Sequence, residues 1–173
     1  LATQNPIDQE GTYPLPEAQL DRFLMNITIS YPDLSAERKI LNLSNEKNNT
    51  SPKNILSSKE LLQIQSFIKE IPVGESVIQY ILNIIKHSRP ETSDLKSVKD
   101  NILWGPSPRA GLALMTTCRA KAFLENRYSP SVFDVQSLVK PILSHRLKLN
   151  ISAKAENVNV EEILDEVINH IRD

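Results

Sequence analysis

The chain has 173 residues, 40% hydrophobic and 24% charged, with a formal net charge of −1 and a single cysteine, Cys118. This length and composition suit a soluble globular chain of one ordinary domain or two small ones. The near-zero charge argues against nucleic acid or an anionic membrane as the main partner, and one thiol excludes an internal disulfide or a cysteine-based metal site.

Further exclusions follow from patterning. The longest apolar run, Val77 to Ile85, is interrupted by Gln79 and Asn83 and is too short to span a bilayer, so no membrane insertion is expected. A lone thiol fits a reducing, cytoplasmic setting. The chain starts with Leu1 inside what reads as a strand, which suggests a piece of a longer protein.

Leu1 to Asn5 reads as a strand end running into an irregular connection that holds Pro6, Gly11, Pro14 and Pro16. Pro16 suits the first turn of a short helix, with Glu17 near its positive end and Leu20 with Phe23 or Leu24 as its apolar face. Met25–Ser30 alternates apolar and polar residues, a strand signature ended by Tyr31-Pro32. Ser35 can cap a helix over Ala36–Leu43 with Ile40, Leu41 and Leu43 inward. Residues 44–54 are polar and turn-rich, the best linker candidate.

Everything after the linker reads as helix. Ser57-Ser-Lys-Glu60 opens one with an apolar stripe of Leu61, Leu62, Ile64, Phe67, Ile68 and Ile71, ended by Pro72. A second spans Glu75 to His87 with Val77, Ile78, Ile81, Leu82 and Ile85 inward, and residues 88–106 read as a long polar connection. Ser107-Pro108-Arg109 is a sharp helix start, continuing to the region of Glu125 over Leu114, Met115, Cys118 and Ala122. Ser131 and Asp134 form a capping-box pattern for Val132–Lys140, and Pro141 is expected to break or kink the helix before Ile142–Leu147. Ile163, Leu164, Val167, Ile168 and Ile171 mark a last amphipathic helix.

Few constellations carry chemistry. His87, His145 and His170 are not at helical ligand spacing with acids, so no metal site is expected; no Gly-x-Ser-x-Gly or Cys/His arrangement exists, and no helix is basic enough to read DNA. The four glycines, at 11, 74, 105 and 111, cannot make a phosphate-binding Gly-x-x-x-x-Gly-Lys-Ser/Thr loop. Arg109 is different. A helix start concentrates free N–H groups and a positive dipole end, and an Arg there makes a phosphate site. Taken singly, Asn5-Pro6 is a turn former, Asp21-Arg22 an exposed ion pair and Ser107-Pro-Arg a capping device.

Their joint order carries more. Ala2-Thr-Gln-Asn-Pro6, then Leu20-Asp-Arg-Phe23, then Gly105-Pro-Ser-Pro-Arg-Ala110 resembles the MoxR family of AAA+ ATPases, most strongly over residues 1–32 and 103–147. Residues 44–54 and Glu91–Asn101 depart from the pattern as lengthened connections. The resemblance implies a mainly α chain with a partial α/β remnant: the end of an AAA+ core supplying two strands, then an all-α lid bundle. The implied divisions are residues 1–44 as core, 45–56 as linker and 57–173 as lid.

It also implies an ATPase that uses ATP and Mg²⁺ in a chaperone-like role, assembled as a ring, commonly a hexamer. Such a machine acts on a maturation partner, often a von Willebrand factor A-domain protein. Asn5 matches the sensor-1 Asn, both catalytic and ATP-binding; Arg22 matches the catalytic arginine finger that reaches a neighbour's nucleotide; Arg109 matches the ATP-binding sensor-2 Arg. Glu10 and Glu17 are expected to be structural. The Walker A and Walker B motifs, which bind most of the ATP and Mg²⁺, are absent from this sequence, so the chain alone is expected to be inactive. Leu1–Gln4 and Met25–Ser30 lack the central strand that both should pair with, so residues 1–30 are expected to be less protected than the lid at 55–173. The competing reading is a non-catalytic helical interaction module.

Overall fold

A computed structural model describes residues 1–3, 15–43 and 55–171. The chain falls into two compact units: Leu1–Asn26 with Ile71–Asp173, and Ile27–Glu70. These boundaries lie outside the 45–56 stretch expected as a linker, most of which is outside the described residues. No helix among the described residues is long and apolar enough to cross a membrane.

The smaller unit holds two helices, α2 (Leu34–Leu43) and α3 (Ser58–Glu70). The α2 cap is Asp33, not Ser35: its Oδ1 accepts from Ala36 N and Ser35 Oγ, both at 2.7 Å. An ionised carboxylate is the stronger acceptor and takes both donors, so the helix starts earlier than expected. At α3 the polar start closes as a capping box, with Ser57 N donating to Glu60 Oε2 at 2.7 Å and Glu60 N to Ser57 Oγ at 3.3 Å. Within α3 the apolar stripe buries no residue, and Leu61, Leu62 and Phe67 are exposed; only Ile71, just past the helix end, is buried.

The larger unit contains the core. The short helix α1 (Glu17–Leu20) lies at its N-terminal end. Helix α4 (Glu75–His87) turns Val77, Tyr80, Ile81, Ile84 and Ile85 inward, spacings of three and four that make one helical face. Leu82 falls off that face and is exposed, so it belongs outside the stripe expected for it, while Tyr80 and Ile84 belong inside.

Residues 88–106 are not a featureless connection. They contain α5 (Lys96–Asn101) and strand β1 (Ile102–Trp104), which pairs antiparallel with β2 (Lys148–Leu149) in the register Ile102 to Leu149 and Trp104 to Lys148. These are the two strands of the described residues. Leu1–Thr3 and Met25–Ser30 form none, contrary to expectation. Alternation is a propensity that becomes a strand only against an edge, and among the described residues this stretch makes one backbone hydrogen bond, Asn26 N to Pro141 O at 2.8 Å.

Helix α6 (Pro108–Leu124) packs against α4 and α7 (Val132–Leu143), and α9 (Val160–His170) packs on α4 and α7. Its inward residues Ile163, Leu164, Val167 and Ile168 are all buried, as the sequence pattern requires. Pro141 does not break α7, which runs through it to Leu143. A helix-interior Pro costs roughly 3 kcal/mol, and Val139, Ile142 and Leu143, each fully buried around it, offset that cost. A 3₁₀ turn, Ser144–Arg146, follows in place of a continued helix, and α8 (Ile151–Ala155) is capped by Asn150.

Candidate functional site at the Asp21 junction

Three local features bring the site together. Pro16 and Glu17 start α1, and its end leaves Asp21 and Arg22 in the turn that follows, with Arg22 N donating to Gln19 O at 3.1 Å. Ser107 caps α6, its Oγ accepting from Arg109 N at 3.2 Å, with Pro108 at the first helical position. The 3₁₀ turn after α7 presents His145 and Arg146.

Asp21 joins these elements. Its Oδ2 accepts from Ser107 Oγ at 2.8 Å and from Arg109 Nη1 at 3.4 Å, while Oδ1 accepts from Arg146 Nε at 3.2 Å. Ser107 therefore caps its own helix with its lone pair and spends its proton on Asp21.

Arg146 is satisfied completely. Its Nη1 donates to the carbonyls of Leu24, at 3.3 Å, and Ile142. Its Nη2 donates to those of Asp21, at 3.2 Å, and Phe23. With Nε on the Asp21 carboxylate, all five guanidinium donors are used, four of the five on residues 21–24. The Arg146 side chain is only 2% exposed. Burial presses its pKa down, and the Asp21 carboxylate and its hydrogen bond oppose that. Neighbouring His145 has its pKa lowered by burial first and by the Arg146 charge second, while its Nε2 lies 3.4 Å from Phe23 O.

Around this junction is a cavity of about 610 Å³, lined by residues including Leu20, Asp21, Trp104, Ser107, Arg146 and Leu149. Glu17, also on its wall, is ion-paired with Lys148. The close approach at Gly105 shapes the same region: a Cβ there would lie 2.7 Å from Arg89 Cγ and 2.9 Å from Ser88 O. Arg89 Nε in turn donates to Pro106 O at 2.9 Å, fixing the lead-in to α6.

Of the residues singled out in the sequence, Asn5 lies outside the described residues. Arg22 is exposed, and its side chain has no partner among the described residues. Arg109 is half exposed and ion-paired to Asp21. The structure thus brings the segment carrying Arg22 to the helix start carrying Arg109. Sequence reasoning missed Asp21, Arg146 and the second role of Ser107. The available signal was Arg146 itself, a cation set next to Leu147 and four residues past Ile142, at positions that otherwise read as core.

Comparison with known proteins gives this geometry a family. Residues 1–25 match the model of an ATPase family associated with various cellular activities (AAA), and residues 96–167 match the AAA lid domain. Chaperone MoxR1 of Mycobacterium tuberculosis is 36% identical over 171 residues, covering 97% of this chain and 45% of that protein. The uncharacterized protein YeaC of Bacillus subtilis is 32% identical over 173 residues, covering 99% of this chain and 52% of that protein. The chain therefore spans about half the length of these relatives. A crystal structure of a candidate ATPase from Cytophaga hutchinsonii superposes with a TM-score of 0.90 at 36% identity, covering 96% of this chain and 51% of that one. The chain belongs to the MoxR-type AAA+ ATPases, and within that architecture it holds the helical lid with a stretch of the ATPase module ahead of it.

Proposed function

We propose that this chain supplies the hydrolysis-sensing parts of a MoxR-type ATPase that uses ATP and Mg²⁺ to remodel or mature partner proteins. The phosphate-binding loop and the Mg²⁺-binding acidic strand are not in this sequence and come from the rest of the ATPase, so the chain by itself does not turn over ATP. Asn5 orients the attacking water, Arg109 reads the phosphates of the subunit's own nucleotide, and Arg22 stabilises charge on the nucleotide of the next subunit in a ring, commonly six-membered. The partner class is the one suggested by the family resemblance, a von Willebrand factor A-domain or comparable maturation protein.

The observation that carries this reading is the Asp21 carboxylate, which holds Arg109 and Ser107 on one oxygen and Arg146 on the other. Arg22, next along the chain, is left exposed and projecting from a turn pinned by Arg146. An exposed cationic side chain with no partner among the described residues, on a clamped backbone, is the arrangement an arginine acting in trans requires.

The test is steady-state ATP hydrolysis by the whole ATPase carrying single Ala substitutions at Asn5, Arg22 and Arg109. The expected result is a loss for Arg22→Ala of roughly 10³-fold or more, the scale of an arginine finger, with smaller losses at the other two. Wild-type rates in all three variants would reject the assignment.

A further inference from the structure

The ends of α4 and α9 converge on a cluster unrelated to the Asp21 junction. His87 and His170, the last residues of the two helices, meet edge to face with ring centroids 4.9 Å apart. Asp94, from the turn after α4, brings Oδ2 to 3.8 Å from His87 Nδ1. One ligand atom from each of the three lies within 4.8 Å of the others.

His87 is the informative member. It is 9% exposed, and its Nδ1 is buried with no hydrogen-bond partner among the described residues. An imidazole nitrogen left without a hydrogen bond in a protein interior forgoes that stabilisation, and one lying close to a carboxylate and a second imidazole can take a cation instead.

The geometry points to a divalent metal site of zinc type held by His87, Asp94 and His170, with solvent in the fourth position. Two imidazoles and one carboxylate form a donor set that Zn²⁺ favours, at metal–ligand distances of about 2.0–2.2 Å. Ligands at those distances around a tetrahedral ion are about 3.3 Å apart, so the site closes by small rotations of Asp94 and His170, both exposed. Lys86 is the competing cation, with Nζ 4.0 Å from Asp94 Oδ2 and both side chains more than half exposed. Such a surface pair contributes little and yields to a metal. The C-termini of two helices point their negative dipole ends at the same place, which adds to the attraction for a cation. Sequence spacing gave no hint, because the three ligands come from three different elements. Bound metal would clamp α4, the 88–94 turn and α9 together.

Zinc titration into the metal-free chain, followed by imidazole NMR signals and by competition with a chromogenic chelator, tests this. One equivalent should bind, shift the His87 and His170 signals while leaving His145 unmoved, and raise the melting temperature with zinc concentration. His170→Asn and Asp94→Asn, at exposed positions that spare the core, should each weaken binding by about 10-fold or more. Equal perturbation of all three histidines, unchanged affinity in both variants, or no saturable binding would overturn the site.

Discussion

Asp21 and Arg146 form an ion pair, Nε to Oδ1 at 3.2 Å, between side chains 18% and 2% exposed. It ties the turn after α1 to the turn after α7 across a sequence separation of 125 residues. Arg109 reaches the same carboxylate from a side chain that is 56% exposed. The two arginines therefore contribute very differently. Removing the partner of a buried charge costs about 3–5 kcal/mol, whereas an exposed pair is worth about 1 kcal/mol or less.

Asp21→Ala should accordingly lower the unfolding free energy by about 3 kcal/mol, and Arg109→Ala by less than about 1 kcal/mol. Urea denaturation of the two variants measures both. Equal losses would mean that Arg146 draws its compensation from the carbonyls alone.

Asp134 makes acid sensitivity testable. Burial alone would raise its pKa, but the Arg127 guanidinium, at 2.6 and 2.7 Å, and Ser131 N, at 2.7 Å, hold it down to about 2. The folded value is below the ordinary 3.8. This stabilisation is therefore fully present above the ordinary carboxylate range and is lost as pH falls through it toward about 2. Melting temperature against pH should fall over that window in the parent chain and less steeply in Asp134→Asn, which should be destabilised at neutral pH. Parallel profiles would contradict the assignment.

Cys118 is fully buried on α6, and burial pushes its thiol up to about 11. A protonated, enclosed thiol is a poor nucleophile. Native protein should label with a thiol-reactive chromophore far more slowly than denatured protein, at a rate that tracks unfolding of the helical core. Rapid native labelling would mean that α6 does not pack as described.

Gly105 tolerates no side chain, because a Cβ would meet Ser88 O and the Arg89 backbone at under 3.0 Å. Gly105→Ala must displace the lead-in to α6, at a cost of about 1–3 kcal/mol. The shift should also reduce ATP hydrolysis by the whole ATPase, since it moves Ser107 and Arg109 relative to Asp21. Thermal denaturation paired with an activity assay separates the two effects. Unchanged stability would show that the approach relaxes freely.

The parts of this fold legible in the sequence are those set by neighbours along the chain. Ser107-Pro108 fixed the start of α6 and Ser131 with Asp134 that of α7, because caps act within three residues. The α9 stripe was legible because a helical face repeats locally. Asp21 and Arg146 were not, being joined only by the folded chain. Strands β1 and β2, three and two residues long, are too short for periodicity to register. Met25–Ser30 had the alternation of a strand without a partner edge, and Pro141 was overruled by packing around it. The Asn5 assignment rests on the resemblance alone.

The claim that Arg22 serves a neighbouring subunit is tested most directly by mixing wild-type and Arg22→Ala subunits of the whole ATPase at varied ratios. A shared site predicts ATP hydrolysis falling out of proportion to the mutant fraction, because each mutant subunit disables a wild-type neighbour's nucleotide. A loss strictly proportional to the mutant fraction, under conditions where mixed rings form, would contradict it.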